Sequence, residues 1–156
     1  MQRDHILIVD DEEHICTILS TRLSKEGYSC LTTRNGVAAL DCLACKKVWL
    51  IITDLRMPHM GGIELLQVVK SLYPEIMVIV STGYADTDLV ARVKGMGALD
   101  CIMKPYDLNS MVKCVKETGG VFLRKNRADS QIVGRLLSNG IELQRSTGIS
   151  VPLRDG

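Results

Sequence analysis

Four kinds of chemistry-bearing group stand at the ends of apolar runs in this chain: the paired acids Asp10-Asp11, the single acid Asp54, the hydroxyl of Thr82 and the ammonium of Lys104. His5 to Val9 stops at Asp10-Asp11-Glu12-Glu13, and Val48 to Thr53 stops at Asp54. Ile76 to Val80 leads to Ser81-Thr82-Gly83, and Leu99 to Met103 leads to Lys104-Pro105. Short apolar runs bounded by turn residues read as buried strands, so each group is expected at a strand end. Three carboxylates brought together repel unless a cation joins them. A hard divalent ion with oxygen ligands answers that need, and Mg²⁺ is commonly shared with phosphate. Carboxylates, Mg²⁺, a hydroxyl and a lysine make a site for a phosphoryl group on a carboxylate. The carboxylate attacks phosphorus, the cations neutralise the equatorial oxygens and the hydroxyl donates a hydrogen bond. Asp54 is the expected nucleophile.

The segments between these runs must bring the groups together. Ile15, Ile18, Leu19 and Leu23 recur at helical spacing, with acids in the first turn and Gly27 as a left-handed cap. Tyr28 to Thr33 is a second strand, Asn35-Gly36 a turn, and Val37, Leu40 and Leu43 mark a second helix. Ile63, Leu66, Val69 and Leu72 mark a third, stopped by Pro74, and Leu89, Val90 and Val93 a fourth. Leu108, Met111, Val112 and Val115 mark a fifth, with Asp107 as N-cap and Gly119-Gly120 as its end. Regular strand–helix alternation predicts an α/β fold: a doubly wound, five-stranded parallel sheet with helices on both faces. In strand order 2-1-3-4-5 the winding reverses between strands one and three, where ligands bind. That order would converge Asp10, Asp11 and Asp54 in one crevice.

The 156 residues suffice for one domain and a remainder, and the net charge of +1 gives no overall pull toward nucleic acid or an anionic membrane. No apolar run reaches the ~20 residues of a membrane span, and the N-terminus does not read as a signal peptide, so a cytoplasmic protein is expected. The six cysteines then read as reduced thiols. Cys42-Leu-Ala-Cys45 has redox-motif spacing but lies inside a helical pattern, and reads as two small half-buried helix residues. Residues 1–120 form the expected domain. Residues 121–156 carry six Lys or Arg against three acids, with a weak amphipathic pattern at Ile132, Leu136, Leu137 and Ile141. They read as a linker, a docking extension or the start of a truncated effector domain.

Here the chain resembles the receiver domains of bacterial two-component response regulators. The matching stretches are Ile6-Leu-Ile-Val-Asp10-Asp11-Glu12, Asp54-Leu-Arg-Met-Pro58-His-Met60-Gly-Gly62, Val78-Ile-Val-Ser-Thr82-Gly83, and Gly97-Ala98 leading to Lys104-Pro105. The resemblance spans residues 5 to about 118, and its wording is most similar to receivers of NtrC-type activators. It implies that Asp54 accepts a phosphoryl group from a sensor histidine kinase. It also implies that Asp11, Asp54 and the backbone carbonyl of Arg56 bind Mg²⁺, with Asp10 a ligand directly or through water. Thr82 and Lys104 would read the phosphate, and the Lys104–Pro105 bond is expected cis. The implied partners are the kinase and an effector domain or a homodimer partner, with DNA reached only through an effector outside this chain and no membrane. One position departs from the family: Cys101 stands where an aromatic switch residue is usual. Three further readings compete, one of them a nucleotide- or flavin-binding module of the same sheet order, which would need a Gly-rich phosphate loop where Asp10-Asp11-Glu12 stands. A haloacid-dehalogenase-like phosphatase needs an Asp-x-Asp pair after the first strand, which this chain lacks. A receiver with attenuated phospho-signalling would follow from the missing aromatic.

Overall fold

A computed structural model describes residues 4–84 and 86–147. Arg154 and Asp155 fall outside that range, as does the side chain of Ile141. Five strands alternate with five helices: β1 (His5–Val9), α1 (Glu13–Lys25), β2 (Cys30–Thr33), α2 (Gly36–Cys45), β3 (Val48–Asp54), α3 (Gly62–Leu72), β4 (Met77–Thr82), α4 (Thr87–Gly95), β5 (Asp100–Met103) and α5 (Leu108–Thr147). The strands form one sheet in the order β2-β1-β3-β4-β5, and every neighbouring pair is parallel. This is the expected order, in the doubly wound sheet that the alternation predicts. β3 and β4 are buried along their whole length, as strands covered on both faces should be.

Local chemistry sets the helix ends. Asn35 caps α2 through the Ala38 amide at 2.9 Å, and Asp86 caps α4 through the Leu89 amide at 2.6 Å. Asp107 accepts from the Ser110 amide at 3.0 Å, the cap expected for α5. α3 begins where its backbone meets the end of β3: the Gly62 amide donates to the Leu55 carbonyl at 2.9 Å. A Cβ at Gly62 would collide with the Asp54 carbonyl, so this approach requires glycine.

Three expectations need correction. α5 does not stop at Gly119-Gly120 but continues to Thr147. Glycine ends a helix by turning left-handed. Among the described residues positive φ is confined to His59, Gly27 and Gly97, so Gly119 and Gly120 stay helical. No proline follows until Pro152, and nothing removes a backbone donor from the helix before then. Second, α1 turns Cys16, Leu19 and Leu23 inward and leaves Ile18 49% exposed. Cys16, Leu19 and Leu23 already follow the i, i+3, i+7 helical period, and Ile18 falls outside it. Third, β2 begins at Cys30 rather than Tyr28, because the Tyr28 amide is occupied by the Leu23 carbonyl in closing α1. By internal contacts the chain separates into two compact units, divided between Thr118 and Gly119.

Candidate functional site

The sheet places the acids through register. Val9 pairs with Thr53, so Asp10 and Asp54 emerge side by side at the carboxyl ends of β1 and β3. α1 and α3 depart there, at the reversal of winding, which opens the crevice. Asp10 is 2% exposed and Asp54 8% exposed, whereas Asp11 is exposed. Each offers a carboxylate oxygen, and these oxygens lie within 4.8 Å of one another. Three hard anionic donors at this spacing match the ligand preference of Mg²⁺ or Ca²⁺ and do not match a soft metal.

Lys104 reaches the cluster from the end of β5. Its Nζ donates to Asp10 Oδ2 at 2.6 Å and to Asp54 Oδ2 at 3.3 Å, with Glu12 Oε1 at 3.7 Å. The Lys104 amide donates to the Thr82 carbonyl at 2.7 Å, tying the ends of β4 and β5 together. The Lys104–Pro105 peptide is cis.

Asp54 and Lys104 are both displaced from their ordinary values. Burial pushes the Asp54 carboxyl above its ordinary value; the Lys104 ammonium opposes this, the Asp10 charge adds to it, and the Arg56 main-chain N–H opposes it. Burial pulls Lys104 down, but hydrogen bonding to Asp10 and the charges of Asp54 and Asp10 outweigh it, leaving Lys104 raised. A single ion pair would lower the acid while raising the base. Both rise here: at Asp54 burial outweighs the ammonium, and at Lys104 the hydrogen bond to Asp10 and the two carboxylate charges outweigh burial. Asp54 therefore remains a desolvated carboxylate with only part of a countercharge.

Thr82 is 2% exposed, and its hydroxyl is engaged away from the acids. It donates to the Tyr84 carbonyl at 3.0 Å and accepts from the Tyr84 amide at 3.2 Å. Tyr84 is 62% exposed, and the Arg56 guanidinium lies 5.8 Å from its ring centroid. Arg56 and Tyr84 thus bridge the loops after β3 and β4. Tyr106 is half-buried, and burial pushes its phenol up to about 12. Cys101 is half-buried and packs against the apolar cluster that contains Val80 and Val93.

The crevice therefore gathers Asp10, Asp11, Asp54 and Lys104, while Thr82 faces its own loop. Sequence reasoning missed three contributors: Glu12 beside the ammonium, the Arg56 amide on Asp54, and the Tyr84 backbone on Thr82. The Thr82-Gly83 step could have signalled the last, since a threonine hydroxyl before a glycine often folds back on the main chain.

Comparison with known proteins gives concordant results. The family profile of the response regulator receiver domain matches residues 6–116. Sporulation initiation phosphotransferase F of Bacillus subtilis is 36% identical over 117 residues, covering 75% of this chain and 94% of that protein. The DNA-binding transcriptional regulator NtrC of Escherichia coli K12 is 35% identical over 116 residues, covering 74% of this chain but 25% of that protein. A CheY-like receiver domain from Methanospirillum hungatei superposes with a TM-score of 0.75 at 28% identity, covering 80% of this chain and 99% of that one. The chain thus spans nearly all of the first relative and about a quarter of the second.

Proposed function

This chain belongs to the response regulator receiver family, the phosphoacceptor modules of two-component signalling, and from that premise we propose that Asp54 is its phosphoacceptor. The carrying observation is the convergence of Asp54 with Asp10, Asp11 and the Lys104 ammonium at the switch point of the sheet. The donor is a phosphohistidine of a sensor kinase or a small acyl phosphate. An Asp54 carboxylate oxygen attacks phosphorus, the new P–O bond forms, and the bond from phosphorus to the donor breaks. Asp54 suits attack because it is 8% exposed, so its carboxylate is stripped of most of its water, and burial makes it more basic than an ordinary aspartate. Lys104 sits 3.3 Å from the nucleophilic carboxylate and neutralises charge that arrives with the phosphoryl group. The Arg56 amide fixes the carboxylate's orientation.

We assign Asp10, Asp11 and Asp54, with the Arg56 carbonyl, to Mg²⁺. The hard-oxygen donor set supports that assignment. When bound, the ion supplies positive charge to both the acids and the phosphoryl oxygens. Thr82 donates to a phosphoryl oxygen only after leaving the Tyr84 carbonyl, so phosphorylation exchanges a loop hydrogen bond for a phosphate hydrogen bond. That exchange is the switching event, and it bears on Tyr84 and Arg56 because no aromatic stands at Cys101. The output is transcriptional, by likeness to NtrC, through an effector domain that residues 121–156 would connect. The site is cytoplasmic in this reading. The chain is a phosphoacceptor rather than a turnover catalyst, and nothing in the relatives favours a phosphatase. The test is intact mass after incubation with Mg²⁺ and an acyl phosphate. One phosphoryl adduct, lost with a chelator and lost in Asp54→Asn, supports the assignment. An adduct that survives Asp54→Asn overturns it.

A further inference from the structure

The Cys42-Leu-Ala-Cys45 pair remains unused by the phosphoacceptor site. Both residues lie in the last turn of α2, three positions apart and hence on one side of the helix. All six cysteines lie in described segments and all are free thiols, but they differ in access. Cys16 is buried, with its thiol directed at the Asp10 carbonyl at 3.4 Å. Cys114 is half-buried and directed at Asp100 Oδ2 at 3.7 Å, and Cys30 and Cys101 are half-buried on strands. Cys45 is the exposed one, and half-buried Cys42 stands one turn before it. The two are close enough for their charges to interact. Two exposed lysines, Lys46 and Lys47, follow directly and suit an anionic thiol reagent.

We propose that Cys42 and Cys45 form a vicinal dithiol that closes reversibly to a disulfide by exchange with small disulfides of the glutathione class. The Cys45 thiolate attacks one sulfur of oxidised glutathione, and one glutathione thiolate leaves with the electron pair of the broken S–S bond. Cys42 loses its proton and attacks the Cys45 sulfur of the mixed disulfide, releasing the second glutathione. The two cysteines together lose two electrons and two protons, and one glutathione disulfide becomes two thiols. Neighbours at this helical spacing have Cβ atoms about 5–6 Å apart, while a disulfide needs about 3.5–4.5 Å. The last turn of a helix supplies the difference by tightening to a 3₁₀ turn, in which residues three apart eclipse. The Lys46 amide bond to the Cys42 carbonyl, now 2.9 Å, is given up, and the Cys45 amide takes that carbonyl in place of its i−4 partner. The negative end of the helix disfavours a thiolate, and burial raises the Cys42 thiol further, so exchange should speed up as pH rises.

The fully reduced chain should be treated with oxidised glutathione, its remaining thiols alkylated, and its peptides weighed. The expected result is a loss of two hydrogens confined to the peptide of residues 35–46, reversed by dithiothreitol, with the other four cysteines alkylated. Cys42→Ser should trap one glutathionyl group on Cys45, and Cys45→Ser should leave Cys42 unmodified over the same interval. A mixed disulfide that persists on Cys45 of the unaltered chain overturns the proposal, as does a disulfide formed through any other cysteine. No arm of this experiment involves Asp54, so its outcome is independent of the phosphoacceptor assignment.

Discussion

Lys104→Met removes the ammonium from the crevice while keeping most of its apolar stem. The wild-type Nζ lies 2.6 Å from Asp10 and 3.3 Å from Asp54. At an effective dielectric of about 20 those separations correspond to gross attractions of roughly 6 and 5 kcal/mol. Desolvation of the ions offsets several kcal/mol of this, and deleting one partner of a buried pair leaves a net loss of about 3–5 kcal/mol. The lysine side chain keeps 14% exposure, which places the expected loss at the low end, about 3 kcal/mol at pH 7. Urea unfolding without divalent metal reads this as a midpoint lowered by about 1–2 M. The loss should be smaller near pH 5 than at pH 7, because burial favours the proton on Asp54, and that proton relieves the repulsion left when the ammonium is gone. Mg²⁺ should then stabilise the variant more than the wild type, since Asp10 and Asp54 no longer hold a competing cation. A loss under about 1 kcal/mol, or an equal loss at both pH values, would refute this account of the crevice.

Three further outcomes follow from the same structure. Asp54 binds its proton more tightly folded than unfolded, so its ionisation costs stability as pH rises from 3.8 through the raised value; Asp54→Asn should therefore melt higher than wild type at pH 7 and lose that advantage near pH 3.8. Glu26 is held down to about 2 by Lys116, at 2.8 Å, and Arg22; its contribution is present above 4.5 and fades as pH falls toward 2, so thermal melts of Glu26→Gln and wild type should differ at pH 7 and converge at acid pH. Gly62→Ala forces a methyl against the Asp54 carbonyl and should cost about 1–3 kcal/mol in urea unfolding, with a weaker phosphoryl adduct because α3 can no longer seat beneath the nucleophile.

The strands were legible because burial on both faces writes itself as continuous apolar runs, most plainly in β3, while their order was taken from the known doubly wound arrangement. Asp54 was legible for the same reason; Lys104 follows β5, an only half-buried edge strand, and was legible as the charged residue between a short β-run and Pro105. What stayed hidden depended on contacts that period and propensity do not encode. Asp10 and Asp11 are adjacent acids, yet one is sealed against Lys104 and the other faces solvent. Both carboxylates stay near Asp54, and only packing decides which of the two is sealed under Lys104. The bonds between the Thr82 hydroxyl and the Tyr84 backbone were not legible either, because a threonine hydroxyl folds back on the main chain through loop geometry that apolar periodicity does not encode. The run of α5 beyond Gly120 was concealed by glycines that cost about 1 kcal/mol each in a helix but do not by themselves end one.

The central claim is that the phosphoryl group resides on Asp54. Borohydride reduction of an aspartyl phosphate leaves homoserine at the modified position, and peptide sequencing by mass then reads the site. After incubation with Mg²⁺ and an acyl phosphate, homoserine at residue 54 alone is the predicted result. Homoserine at Asp10 or Asp11, or a phosphoryl adduct that leaves residue 54 as aspartate, would contradict it.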